Sequence, residues 1–307
     1  MACAGDDVAR ELKLYLKEGE WCFASATAVK AKKLWTLFDA RRLSHQEKFK
    51  AGAGEMLTLY AVLRHFVQTR LRGKPELSMQ TASFEAACVV IDVILKAKHR
   101  LIPLPQAAVR LRSALDEHFT LHKAIYTDAH FVPKHHFLLD VASQWDRQEE
   151  VFDALVIERL HLRVKAVAEK MHNTTRFEKT ALPSVINCQA RDLAAENFAD
   201  TLIGRTASLD GTEAVVADSM RVGGGVYLAV ADILFCCDRA GLILACAIER
   251  GRLFAIVERM TLVRQFTENS VVLRKSGSLA VWDAVNLFPA EAWYLIENQD
   301  WAVLRLS

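Results

Sequence analysis

Leu242-Ile243-Leu244-Ala245-Cys246-Ala247-Ile248-Glu249-Arg250-Gly251-Arg252-Leu253-Phe254-Ala255-Ile256-Val257 is the stretch on which the fold turns. Two apolar, β-rich runs, Leu242–Ile248 and Leu253–Val263, flank a polar tetrapeptide whose glycine marks a tight turn. Working outward, the same alternation recurs. Ala214–Ala217, Val226–Phe235, Ser270–Leu273, Leu279–Trp282, Ala292–Ile296 and Trp301–Leu306 read as strands. Asp210-Gly211, Gly223-Gly224-Gly225, Asp238-Arg239-Ala240-Gly241 and Lys275-Ser276-Gly277 read as the turns between them. Short strands at this spacing predict a meander that closes into a small all-β barrel or sandwich over residues 204–307.

Upstream the period changes from two to between three and four. Met56, Leu59, Tyr60, Leu63, Phe66 and Val67 form one such set, and Ala87, Val90, Ile91, Ile94 and Leu95 a second. Phe152, Leu155, Val156, Leu160, Val164 and Val167 form a third. Spacing of this kind gathers apolar side chains on one face of a helix. Gly73-Lys74-Pro75, Pro103, Pro105, Pro133 and Pro183 punctuate the helices. Residues 1–203 are therefore expected to form an irregular helical bundle, and the fold class is α+β.

Of the 307 residues 52% are apolar and 25% charged, which is the balance of a globular chain and not of a disordered one. A formal net charge of +2 also excludes a polycation. Cys3, Cys22, Cys88, Cys188, Cys236, Cys237 and Cys246 are odd in number and contain no Cys-x-x-Cys pair, so reduced core thiols are expected rather than a disulfide framework. Met1 to Glu20 carries Asp6, Asp7, Glu11 and Glu18 and does not read as a secretory signal. The apolar runs near Val226–Cys237 and Leu242–Ile248 are too short to span a bilayer. The expectation is an intracellular protein with no membrane partner.

Seven of the ten histidines lie between His118 and His172. His118 and His122 are four apart on a predicted helix, a spacing that zinc sites use. Glu158 and His161 are three apart, as in carboxylate-bridged metal sites of helical bundles. These four are the candidate metal ligands, and solvated helix faces are the competing reading. His135 and His136 are adjacent, so they point apart and cannot readily serve one site. Gly223-Gly224-Gly225 lacks the lysine and hydroxyl residue of a phosphate loop and reads as a hairpin turn. No dinucleotide fingerprint and no nucleophile motif is found; no cofactor is expected beyond a possible divalent metal.

Positive charge is more concentrated than the net value implies. Lys30 to Arg72 holds ten Lys and Arg, among them Lys32, Lys33, Arg41 and Arg42. Lys96-x-Lys98-His99-Arg100 and Arg159-x-His161-x-Arg163-x-Lys165 add two further clusters. Surfaces of this kind attract phosphate backbones without reading sequence. Lys32, Lys33, Arg41, Arg42, Arg163 and Lys165 are the candidate nucleic-acid contacts, with a solubilising helix surface as the alternative.

Three segments occur in a recognisable order. They are Phe49-Lys50-Ala51 through Glu55-Met56-Leu57-x-Leu59-Tyr60-x-Val62-Leu63, then Pro133-Lys134-His135-His136-Phe137-Leu138, then Glu158-Arg159-x-His161-x-x-Val164-Lys165. The set resembles the C-terminal, helical-plus-β part of transposase-like proteins encoded by CACTA-type and related DNA transposons, over about residues 48–175. The resemblance implies nuclear localisation and an RNase H-like nuclease whose acidic residues hold two divalent metals. Glu158 is the position that matches its late catalytic acid. The strands that carry the earlier acids have no counterpart here, and Asp140-Val141-Ala142 replaces the family's His-Tyr-Pro. The expectation is a transposon-derived, catalytically incomplete protein that retains nucleic-acid or protein binding. A divalent-metal-dependent nuclease is one alternative. An adaptor acting through the β-rich part, where Trp282, Trp293, Tyr294 and Trp301 cluster, is another.

Overall fold

Among the described residues, all but one of the strands follow the helices. A computed structural model describes residues 2–24, 53–99, 101–126, 133–148, 183–187, 200–208, 213–222, 226–296 and 300–305. The helices are α1 (Ala2–Glu18), α2 (Ala53–Phe66), α3 (Ser78–Lys98), α4 (Leu104–Tyr126) and α5 (Pro133–Gln148). α2 runs on through a π turn, Val67–Leu71, and the chain breaks at Gly73-Lys74-Pro75 before α3. Pro105 stands in the first turn of α4, where a missing N–H costs nothing. Val90, Val93 and Ala97 of α3 pack on Ala107, Ala108, Leu111 and Leu115 of α4, and Ala142 and Trp145 of α5 complete this core. The stretch Pro75–Lys98, with mean hydropathy 1.4, is long and apolar enough to cross a membrane by length and composition alone. Here it carries an ion-paired aspartate and packs its apolar side chains on α4.

The strands are β1 (Cys22–Phe23), β2 (Thr201–Ser208), β3 (Val215–Val222), β4 (Val226–Ala229), β5 (Ile233–Cys236) and β6 (Arg239–Glu249). They continue with β7 (Arg252–Thr267), β8 (Ser270–Asp283), β9 (Phe288–Pro289), β10 (Ala292–Leu295) and β11 (Trp301–Leu304). All belong to one antiparallel sheet ordered β1-β10-β11-β8-β7-β6-β3-β2, with β4 branching from β3 and β5 joining β6 to β9. The fold class is thus α+β, with N-terminal helices followed by a large antiparallel sheet. The closed barrel expected from the strand spacing does not form. Closure requires the terminal strands to pair with each other, whereas this sheet ends on β1 at one side and β2 at the other. β1 comes from a segment expected to be helical and pairs with β10, Cys22 opposite Trp293.

Two turn signals prove to lie inside strands. Lys275-Ser276-Gly277 does not end a strand: β8 continues through it. Met260 pairs with Lys275 and Glu258 with Leu279, so Ser276–Ser278 bulge out, with Gly277 at φ +70°. A bulge bends a long strand without ending it. Gly241 likewise sits within β6, because the turn from β5 is made by Cys237-Asp238, with Cys237 at φ +57°. A Cβ on Gly241 would lie 2.9 Å from Trp282 and 3.0 Å from Val257. The glycine is there to admit the buried indole. Gly241→Ala is expected to cost about 1–3 kcal/mol through overpacking, read as a lower urea midpoint at unchanged slope. By contrast, Arg250-Gly251, at φ +50° and +77°, forms the two-residue hairpin turn that its sequence signals.

The sheet's own core gathers Met220, Leu228, Leu234, Ile243, Cys246, Val257 and Trp282. A second cluster joins helix to sheet: Leu16, Trp21, Leu59, Val62 and Cys88 pack with Ala292 and Leu304. Cys88, Cys236 and Cys246 are free and buried, and burial pushes the Cys88 and Cys246 thiols up to about 12. These are core thiols, poor nucleophiles in this setting.

Candidate functional site

Where α2 and α3 meet β10 and β11, charged groups are enclosed that an apolar interface would ordinarily exclude. Tyr60 and Arg64 lie one helical turn apart on α2 and converge on Asp92 of α3. The Tyr60 hydroxyl donates to Oδ1 at 3.0 Å, and Arg64 donates from a terminal nitrogen to Oδ2 at 2.6 Å. Arg64 is 4% exposed and Asp92 2%, so this ion pair is shielded from water. Nearby, Gln68 donates to Asn269 at 3.1 Å, and His65 Nε2 lies 3.3 Å from the Tyr294 hydroxyl. Burial pushes the Tyr60 hydroxyl far above its ordinary value, and the charges of Glu291 and Asp92 add to this. Burial also lowers the His65 pKa to about 4. Half-buried Glu291 is raised to about 7, by burial first and then by Asp92. The cavity among these groups measures only about 10 Å³, the room a single water needs. This cluster fastens helices to sheet and leaves no space for a ligand. One trace of it is legible beforehand: Asp92 interrupts the apolar run Val89-Val90-Ile91 and Val93-Ile94-Leu95.

A second concavity is large enough for one. It has a volume of about 870 Å³ and lies between the end of α3 and the sheet. Lys96, His99, Leu101 and Ile102 form the helical wall. Val222, Val226, Phe235, Leu253, Leu287 and Phe288 form the opposite, apolar wall. Arg305, Asp200 and the pair Arg252–Asp283, joined at 2.8 Å, stand around it. Cations at the end of α3 suit the partial negative charge of a helix C-terminus, which explains their local stability. The setting is nevertheless crowded with positive charge. Lys96 is held below its ordinary pKa, chiefly by burial; Arg110, Arg305 and Arg64 lower it further while Asp92 opposes them. His99 is lowered by burial and by Lys98. An anion entering beside Lys96 would relieve both the desolvation and the repulsion.

The candidate contacts Lys32, Lys33, Arg41, Arg42, Arg163 and Lys165 lie outside the described residues, as do Glu158 and His161. His118 and His122 share a face of α4, as their spacing predicts, with ring centroids 5.8 Å apart and the Tyr126 ring tilted at 47° to His122 at 4.9 Å. Among the described residues no group of three His, Cys, Asp or Glu side chains is placed to hold a metal ion. Among the described residues the two-metal chemistry implied by the resemblance therefore finds no ligand set. Of the clustered aromatics, Trp282 and Trp293 are buried, and Tyr294 packs on Trp21 at 4.7 Å. Trp301 is half-buried against the Val271 and Val303 cluster. These rings serve the core. Of the basic cluster Lys96-x-Lys98-His99-Arg100, Lys96 and His99 line the larger cavity. Compared with models of protein families, with characterised proteins and with solved structures, the chain matches none.

Proposed function

We propose that this is a nucleic-acid-binding protein, transposon-derived and catalytically incomplete, that holds phosphate groups at the cleft between α3 and the sheet. One observation supports this reading above the others: Lys96, His99 and Arg305 share an 870 Å³ cleft in which burial, and after it the nearby arginines, disfavours the lysine's charge. Sequence-independent binding of this kind works through release of counterions from the phosphate backbone. Anisotropy of a labelled random oligonucleotide tests it across a salt series. Log affinity should fall linearly with log salt concentration. The double variant Lys96→Ala/Arg305→Ala should weaken binding and flatten the slope by about one per lost phosphate contact. Absence of binding at low salt overturns the reading.

A second reading, an adaptor that works through the sheet, is favoured by the side chains the sheet exposes. Leu262, Leu279 and Val281 are 63%, 65% and 65% exposed. Exposed apolar patches mark interaction surfaces when they are contiguous. Leu279→Lys/Val281→Lys would then abolish partner binding and leave oligonucleotide affinity unchanged.

A further inference from the structure

The composition of the cleft says more about its ligand than that it is anionic. Three cationic side chains, Lys96, Arg252 and Arg305, face two carboxylates, Asp200 and Asp283. With His99 neutral the described lining residues carry three positive and two negative charges, a balance of +1. Arg252 is already engaged with Asp283 at 2.8 Å. So small an excess accounts for one anionic group and leaves the rest of the lining without a partner. The rest of the lining is apolar, and it includes Phe288, which stacks on Phe235 at a centroid distance of 5.7 Å and an interplanar angle of 23°. The ligand that satisfies both walls has an anionic group for Lys96 and Arg305 and a flat apolar body for the Phe288 side.

Resting on the nucleic-acid reading above, we infer that the cleft takes a nucleotide unit with its base unstacked, so that the protein prefers single strands to duplex. In a duplex the base faces are already stacked on one another and unavailable. In a single strand each base offers a π face, and stacking on protein aromatics is tolerant of sequence. The volume also falls within the range of about 300–1,000 Å³ that small-ligand sites occupy, which suits one nucleotide and excludes a helix. Lys96 and Arg305 hold the phosphate at the mouth while the base lies against Phe288, Leu287 and Val285.

The test measures the full chain against a labelled oligothymidine of about 15 nucleotides, within the site sizes known for single-strand binders, and against a duplex of equal length. Single-strand binding is expected to be at least about tenfold tighter. Phe288→Leu should weaken it by about 5- to 100-fold, the range of one lost base stack, and leave duplex affinity unchanged. Because Phe288 also packs on Phe235, the exposed Val285→Asp provides a second variant: it should reduce single-strand binding without lowering the thermal midpoint. Thymidine monophosphate should compete with the strand, and inorganic phosphate at the same concentration should not. Equal affinity for strand and duplex, insensitive to both variants, overturns the base site and leaves the nucleic-acid reading standing. Competition by phosphate as strong as by the nucleotide also overturns it. Binding of neither nucleic acid removes both.

Discussion

Asp92→Ala is expected to destabilise the protein by about 3–5 kcal/mol, the range seen when one partner of a buried ion pair is removed. The substitution leaves the Arg64 guanidinium enclosed without a counter-charge and takes the acceptor from the Tyr60 hydroxyl. Removing a surface partner has no such effect: Arg250–Glu213, with side chains 79% and 76% exposed, should contribute about 0–1 kcal/mol. Against the roughly 5–15 kcal/mol that separates folded from unfolded states in natural proteins, the loss at Asp92 takes a large share. Urea unfolding gives the value. The double variant Asp92→Leu/Arg64→Met should recover much of it, because removing both charges leaves neither desolvated and unpaired. A single variant as stable as the parent would show that Arg64 finds water or another partner, and would end the view of this ion pair as the fastening between α2 and α3.

The second large effect concerns pH, and it is concealed in the parent protein by two opposed groups. Glu291 has its folded pKa raised from 4.5 to about 7. The folded state therefore holds a proton that the unfolded state has released, and stability falls as pH rises through that window. His65 has its folded pKa lowered from 6.5 to about 4. Here the unfolded state takes up the proton first, and stability falls as pH drops from 6.5 towards 4. Each contribution is at most about 3 kcal/mol, and the two slopes oppose each other wherever the windows overlap. Glu291→Gln should expose the histidine, giving a protein that loses stability on acidification below pH 6.5. His65→Gln should expose the glutamate, giving one that is most stable in acid and weakens as pH climbs to 7. Unfolding free energies measured from pH 4 to 8 in the three proteins decide it. Slopes of the same sign in both variants would refute the assignment.

Both effects arise in a cluster that no local pattern announces. Tyr60 and Asp92 are 32 positions apart, Gln68 and Asn269 are 201 apart, and His65 and Tyr294 are 229 apart. Asp92 within an apolar run signals that some buried partner is required, but not which one. The cleft was half legible. Lys96 and His99 stood out as a basic cluster, whereas Arg305 and the Phe288 wall lie about 200 positions further on and reach the cleft only through the sheet.

The sequence by itself determined what depends on neighbours a few positions away. Apolar side chains recurring every three to four residues made α2 and α3, apolar runs made β6 and β7, and Arg250-Gly251 made the turn between them. Tertiary structure decided whatever depends on which edges meet. Ser276–Ser278 became a bulge because β7 extends past them and keeps pairing with β8. Gly241 became a strand residue because Trp282 fills the space above it. The sheet stayed open because its two end strands, β1 and β2, do not pair with each other. Hydrogen-bonding groups along a strand edge are alike whatever the side chains, so the partner that takes each edge is settled by packing across the whole chain and not by the residues of the strand itself.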